Sequence, residues 1–382
     1  MMRYRELGRT GLKVSEIGLG AEWLERHNEE EVRSIIDECG RQGINIMDVW
    51  MSEPNVRTNI GNAIEGKRKD WIIEGHIGST WQDGQYVRTR DLDKVKPAFE
   101  DLLVRLKTDH IDLGMIHYVD GKTEFEKILN SPYLDYVQGL KKDGVISHIG
   151  MSSHNPIVAK MAVESGIVEM ILFSINPAFD MLPPSEDLET CFAEEYDPSL
   201  DRIAPEREEL YTLCESRGVG INVMKGYAGG RLFSSEASPF GVALTPVQCL
   251  CYALTRPAVA SVMAGFDTPL HVSQAVAYET ASDEEKDYLS VLKNAPKHSY
   301  GNGQCTYCGH CAPCPQRIDI AMVNKFYDLA TMQKTVPESV RSHYEALERN
   351  ASDCIGCHGC EKRCPFNVPI VEKMKKTAQL FG

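Results

Sequence analysis

The 382-residue chain is short of several things. No apolar run approaches the ~20 residues needed to cross a bilayer, which argues against a membrane protein. The opening stretch MMRYRELGRTGLKVSEIGLG has no apolar h-region, so no secretory signal is read there. Positive charge is scarce: 41 Lys and Arg face 55 Asp and Glu, for a net charge of −14. Nonspecific nucleic-acid binding needs a basic surface and is excluded on that ground. No flavin signature is present. These absences predict a cytoplasmic protein with neither nucleic acid nor membrane as partner.

Cysteine is what the chain has in plenty. Eight of the 13 lie in two runs near the C-terminus. The first is Cys305-x2-Cys308-x2-Cys311-x2-Cys314-Pro315, and the second is Cys354-x2-Cys357-x2-Cys360-x3-Cys364-Pro365. The second has the spacing that holds a [4Fe–4S] cluster in bacterial ferredoxins; the first is one residue shorter before its last cysteine. Two-residue steps let three thiolates converge on one cubane, while the fourth, before proline, turns toward the neighbouring cluster. The pattern therefore assigns Cys305, Cys308, Cys311 and Cys364 to one cluster, and Cys354, Cys357, Cys360 and Cys314 to the other. Zinc also takes four thiolates, but seldom with a third cysteine at the same short step. Disulfides do not suit such runs in a cytosolic protein. Cys39, Cys191, Cys214, Cys249 and Cys251 are scattered and read as small buried apolar residues.

Charge divides the chain as well. Residues 1–296 carry 30 Lys and Arg against 47 Asp and Glu, whereas residues 297–382 carry 11 against 8. The basic excess either offsets the charge of the clusters or guides an acidic electron donor such as a ferredoxin. The chain length suits one large domain, 1–296, and a small α-rich one, 297–382.

Short β-rich runs alternate with helical patterns through the first domain. Strands are predicted at Val14–Leu19, Ile44–Asp48, Trp71–Glu74, Ile111–Ile116, Ile146–Met151, Met170–Ser174, Gly220–Met224 and Ala260–Ala264. Between them lie helical stretches, among them 30–42, 91–107, 131–142, 156–165, 205–217 and 246–255. Asn28 and Asp91 are candidate caps, and Pro156, Pro205 and Pro246 suit a first helical turn. Eight such units favour an α/β fold of the (β/α)8 TIM barrel type. The connection 176–204 is long, and residues 180–201 hold eight acidic residues and no Lys or Arg. It reads either as a solvated loop or as a lid over the barrel mouth.

The opening YRELGRTGLKVSEIGLG, HIDLGMIHYVD at 110–120, GVISHIGMSSHNP at 144–156 and GVGINVMKGYAGGRL at 218–232 carry a resemblance. With the cysteine runs, the chain resembles the aldo/keto reductases that have a C-terminal ferredoxin-like domain. The resemblance implies a barrel binding NADP(H) at its mouth. It also implies a Tyr that protonates the substrate carbonyl, tuned by an Asp and a Lys, with a His positioning substrate. Asp48 and His117 match the family's Asp and His. Glu53 stands at the Tyr position and His76 at the Lys position. Ser152, Ser153 and Asn176 match nicotinamide contacts. His271 stands where an Arg often meets the 2′-phosphate, and Gln274 and Ala275 replace a nearby acidic-then-Asn pair. Lys225 and His154 follow the seventh and fifth strands and read either as mouth residues or as surface ones.

The altered set leaves several chemistries open. Asp48, Glu53, His76 and His117 suit a mononuclear divalent metal such as Fe, Mn or Zn. They also suit a new acid/base pair, with Glu53 against Trp50 or a histidine as the acid. Three functions follow: an oxidoreductase acting on a small carbonyl-type substrate with electrons from the clusters, an NAD(P)H-dependent carbonyl reductase with structural clusters, or a non-catalytic redox-sensing or partner-binding barrel.

Overall fold

Eight short apolar strands pair in parallel and close on themselves. They are β1 (Ile17–Gly20), β2 (Ile46–Val49), β3 (Ile72–Ile77), β4 (Ile111–Ile116), β5 (Ile146–Ser153), β6 (Met170–Ser174), β7 (Gly220–Met224) and β8 (Val259–Gly265). Each bonds to its neighbour in chain order, and β8 returns to β1, giving a closed barrel. The computed structural model describes residues 1–193, 195–197, 199–298, 303, 305, 307, 309, 311–331, 335–364 and 367–382.

Register decides what faces the barrel axis. Asp48 pairs with Glu74, Glu74 with Leu113, and His76 with Met115. Farther round, Met115 pairs with Gly150, Leu172 with Asn222, and Asn222 with Ser261. Paired residues of neighbouring parallel strands share a face, so all of these point inward. The lower interior is filled by Ile46, Leu113, Met115, Met170, Leu172 and Met263. Gly150 makes room for two of the methionines: a Cβ there would lie 2.4 Å from Met170 Sδ and 2.5 Å from Met115 Sδ.

A hairpin of Tyr4–Glu6 and Lys13–Ser15 belongs to the lower end. Leu7 and Val14 are fully buried against the interior. The tight turn needs Gly8, whose φ is +53° and whose Cβ would lie 2.4 Å from Gly220 N. Val14–Leu19 is thus two strands instead of the single one expected. Glu16 separates them and pairs with Arg3 and Arg5.

The outer helices start where their caps allow. Asn28 caps Glu29–Arg41 and Asp91 caps Leu92–Arg105. Pro156, Pro205 and Pro246 each open a helix. Among the described residues of segment 176–204, Phe179, Met181, Cys191, Tyr196 and Ile203 are buried. Arg231 donates to Ala193 O at 2.9 Å and secures it.

The C-terminal region is helical, with helices at Ile320–Thr331, Glu338–Glu345, Gly359–Arg363 and Ile370–Phe381. Tyr344 stacks on Phe381 at 4.0 Å. Lys325, on the first of these helices, pairs at 2.6 Å with Glu215 of barrel helix Pro205–Arg217. The apolar core runs without a break from the barrel into this region. Among the described residues, no helix is long and apolar enough to cross a membrane.

Candidate functional site

Three inward side chains at the C-terminal ends of β2, β3 and β4 form a hydrogen-bonded chain. His76 Nε2 lies 2.8 Å from Asp48 Oδ1, and His76 Nδ1 lies 2.7 Å from His117 Nδ1. The chain continues outward, because Tyr86 Oη lies 2.6 Å from His117 Nε2. Asp48, His76 and His117 are 5%, 2% and 4% exposed, whereas Tyr86 is 37% exposed. Polar groups so deeply buried persist only when partnered. The row is therefore a single connected unit that reaches solvent at a phenol.

Tyr86 escaped the sequence reading. It lies on a hairpin of Ser79–Gln82 and Gln85–Arg88 that follows β3. The turn is Asp83-Gly84, both with positive φ, as a two-residue hairpin loop requires. That Asp-Gly pair between alternating residues was the available signal. Trp50 meets Tyr86 edge-on at 5.4 Å and stacks on His117 at 5.9 Å. Arg90 fixes the backbone behind His117, donating to His117 O at 2.5 Å and to Glu124 at 3.0 Å.

Burial, then the His76 neighbour and Arg90, hold the His117 ring well below the usual imidazole range. It stays neutral, with one nitrogen donating and one accepting. Burial pushes the Tyr86 phenol up, and Arg88 offsets part of that. It therefore keeps its proton at neutral pH.

Glu53 does not join this chain. Its carboxylate accepts from Val56 N at 2.7 Å and from Asn55 Nδ2 at 2.9 Å, and caps helix Pro54–Ala63. A different acid takes the place beside Asp48 and His76. Glu74 is fully buried inside the barrel, with Asn222 Nδ2 donating to it at 2.5 Å. One ligand atom from each of Asp48, Glu74 and His76 lies within 4.8 Å of the others. Burial, then Asp48, push the Glu74 carboxyl far up, and the Asn222 bond opposes them.

The expected nicotinamide contacts are engaged elsewhere. Ser152 Oγ accepts from Tyr118 N at 2.7 Å, and Ser153 Oγ donates to Asp120 at 3.0 Å. Asn176 Oδ1 caps a short helix through Ala178 N and Phe179 N, while its Nδ2 donates to Lys225 O. Lys225 Nζ faces Glu22 at 3.7 Å, and His154 pairs with Asp120 at 3.0 Å. His271 is exposed, and its Nδ1 accepts from Asp267 N at 3.3 Å. Residues 265–276 hold no Lys or Arg. Asp267 there pairs with His27 at 2.9 Å. As placed, this stretch offers no Lys or Arg to the 2′-phosphate of NADP(H), while the start of helix Pro269–Val276 can present backbone N–H groups to a phosphate.

The cysteines do fit clusters. Cys314, Cys354, Cys357 and Cys360 line one cavity, with Ile355, Val371 and Met374 among the residues of its wall. Cys305 Sγ accepts from Asn324 Nδ2 at 3.3 Å, a hydrogen bond of the kind that tunes a cluster sulfur. Arg363, next to Cys364, donates to Cys311 O at 2.7 Å, bringing the two cysteine runs together. Among the described residues no cysteine is in a disulfide. Cys308 lies outside the described residues.

A closed parallel barrel with its polar chain at the C-terminal mouth, joined to a cysteine nest, defines a barrel oxidoreductase with an iron–sulfur module. The chain belongs to the aldo/keto reductase family. That family's model matches residues 16–242, and the model of a 4Fe-4S dicluster domain matches residues 304–369. The uncharacterized oxidoreductase YqkF of Bacillus subtilis is 31% identical over 309 residues, covering 78% of this chain and 97% of the relative. The aldo-keto reductase YhdN of the same organism is 28% identical, covering 40% of this chain and 47% of its own length. Among solved structures, the holo form of aldo-keto reductase AKR11C1 from Bacillus halodurans aligns with a TM-score of 0.60. It is 26% identical and covers 77% of this chain and 97% of that one.

Proposed function

We propose that the protein reduces a small carbonyl-type substrate at the barrel mouth, with Tyr86 as the proton donor and the two clusters as the source of electrons. The observation that carries this reading is the continuous row Asp48–His76–His117–Tyr86. It restores a tyrosine to a mouth whose sequence position for that residue is Glu53.

The row works in one polarity only. With both imidazoles neutral, His76 Nε2–H donates to Asp48, His117 Nδ1–H donates to His76 Nδ1, and the Tyr86 hydroxyl donates to His117. The phenol proton then points away from substrate. One positive charge at the inner end of His76 reverses the two outer bonds. His76 Nδ1–H then donates to His117 Nδ1, His117 Nε2–H donates to Tyr86 Oη, and the phenol proton is released toward the mouth. In the family this charge belongs to a Lys. The neutral state of His117 suits it to relay, since it must accept at one nitrogen and donate at the other.

Reduction of a carbonyl to an alcohol takes two electrons and two protons. When assembled, the clusters supply single electrons, and two of them hold the pair. Tyr86 gives one proton to the substrate oxygen and is reprotonated along the row; the carbon receives the second from solvent. Trp50 shields one side of the site, and Arg88, two residues along the same strand as Tyr86, stacks on Tyr118 at 4.4 Å. Cys305, Cys308, Cys311 and Cys364 would hold one cluster; Tyr307, in the first cysteine run, bonds Asp328 on the helix whose Lys325 pairs with the barrel. Cys354, Cys357, Cys360 and Cys314 would hold the other cluster, and the exposure of Cys357 suits this set to a donor protein such as a ferredoxin.

The test is a screen of small aldehydes and ketones under anaerobic conditions, with dithionite-reduced methyl viologen as donor. The expected result is a substrate whose turnover falls about 10²-fold or more in Tyr86→Phe. Unchanged turnover in Tyr86→Phe would remove the tyrosine from the mechanism.

A further inference from the structure

The interior of the barrel, one step below the proton row, contains an unbalanced group. Asp48, Glu74 and His76 are 5%, 0% and 2% exposed. Their ligand atoms lie within 4.8 Å of one another. Two oxygens beside them have no hydrogen-bond partner: Glu74 Oε2 and Asn222 Oδ1. Asn222 is itself fully buried, and its amide nitrogen already donates to Glu74 Oε1. Buried acceptors without a donor are rare in folded proteins, and each calls for an ion, a proton or a water. Here both are oxygens: one belongs to the Glu74 carboxyl and the other to the amide that bonds it. Two buried carboxyls so close do not both carry charge unless a cation lies between them, and without one, burial and Asp48 keep the Glu74 carboxyl far up.

We propose that Asp48, Glu74 and His76 bind a divalent transition-metal cation, with Asn222 Oδ1 as the fourth donor. The donor set of two carboxylates, one imidazole and one amide oxygen suits Mn²⁺, Fe²⁺ or Zn²⁺. Bonds of about 2.0–2.2 Å would draw the three principal ligands slightly inward. Asp48 is the open side, since its side chain is 7% exposed against 1% for His76. The ion would occupy His76 Nε2 in place of a proton. His76 Nδ1 must then carry the hydrogen, which fixes the tautomer as outer partners of metal-bound histidines commonly do.

This placement rests on the Tyr86 reading and explains its polarity. With the cation on Nε2, the row runs His76 to His117 to Tyr86 and releases the phenol proton. The cation would lie against His76, the residue that stands at the family's Lys position in the sequence. A second proton on His76 gives the same polarity, so loss of the metal site would leave the Tyr86 reading intact.

The experiment titrates Mn²⁺ into chelator-treated, oxidised holoprotein and follows the free-ion EPR signal, with Zn²⁺ as competitor. One site per chain is expected, displaced by Zn²⁺ and weakened at least about tenfold in both Glu74→Gln and Asn222→Leu. Cluster absorbance and thermal melting confirm that the variants are folded. If either fails to fold, Zn²⁺-dependent anomalous scattering from wild-type crystals reads the same site. Absence of a tight site in wild-type protein, or binding unchanged in Glu74→Gln, overturns the proposal. So does an infrared protonated-carboxyl band that disappears in Glu74→Gln and is insensitive to Zn²⁺.

Discussion

The cysteine nest and the barrel mouth hold their reactive groups in opposite ways. In the nest, Cys357 is exposed and Ile355 beside it is 62% exposed, so that cavity opens to solvent. At the mouth, Asp48, His76 and His117 are almost fully enclosed, and only Tyr86 reaches out. The difference follows from what each region moves. An electron passes between partners held near one another and gains from an accessible cluster. A proton moves only along hydrogen bonds of fixed length, which need neighbours on every side. Strands from across a closed barrel supply those neighbours; a short cysteine loop cannot.

The strongest way to break the comparison is at the nest. Cys360→Ser removes one of the four thiolates lining that cavity. Reductant-driven turnover is expected to fall to background, with iron content reduced by one cluster's worth. Retained activity with a lost cluster would make that cluster structural. Next is the mouth, where Asp48→Asn breaks the inner end of the row, and kcat is expected to fall by about 10²-fold with little change in KM. A matching rise in KM would instead place Asp48 in substrate binding.

Smaller effects separate the mouth from its surroundings. Glu53→Ala removes a helix cap and is expected to cost about 1 kcal/mol of stability, seen as a lower Tm. Its kcat should match wild type; a collapse of kcat would return Glu53 to the site. Smallest is the seam between barrel and nest. Burial, then Asp328, push the Glu208 carboxyl up to about 7, against the pull of Arg256 and Lys373, with Asp180 adding to the rise. A carboxyl raised in the fold favours the folded state at low pH, and that contribution is lost as pH rises through about 7. Glu208→Gln should therefore flatten the decline in Tm between about pH 5 and 8; an unchanged slope would place Glu208 in water.

Much of this molecule could be read from the chain because the signals were local. Ile111–Ile116, Met170–Ser174 and Gly220–Met224 are strands with the expected ends, since each is a short apolar run between turn residues. Cysteine spacing gave the nest, because the ligands of one cavity lie mostly within a few residues of each other. The mouth was legible only in part. Asp48, His76 and His117 come together as expected. Glu53 was placed by its distance from Asp48, but the demand for a cap at Val56 N decided its role. Glu74 was hidden because a carboxylate inside an apolar strand reads as strand, and only the barrel's register brings it beside Asp48. Tyr86 lies ten residues beyond His76 in the sequence, and a hairpin folds it back over His117.

The most direct test of the account is a single-turnover comparison on one carbonyl substrate. Holoprotein with both clusters reduced is mixed anaerobically with substrate in the absence of nicotinamide, and cluster reoxidation and product are followed together. One product per chain is expected, with both clusters reoxidised at the same rate. Clusters that stay reduced, while NADPH drives turnover of the same substrate in cluster-free protein, would contradict it.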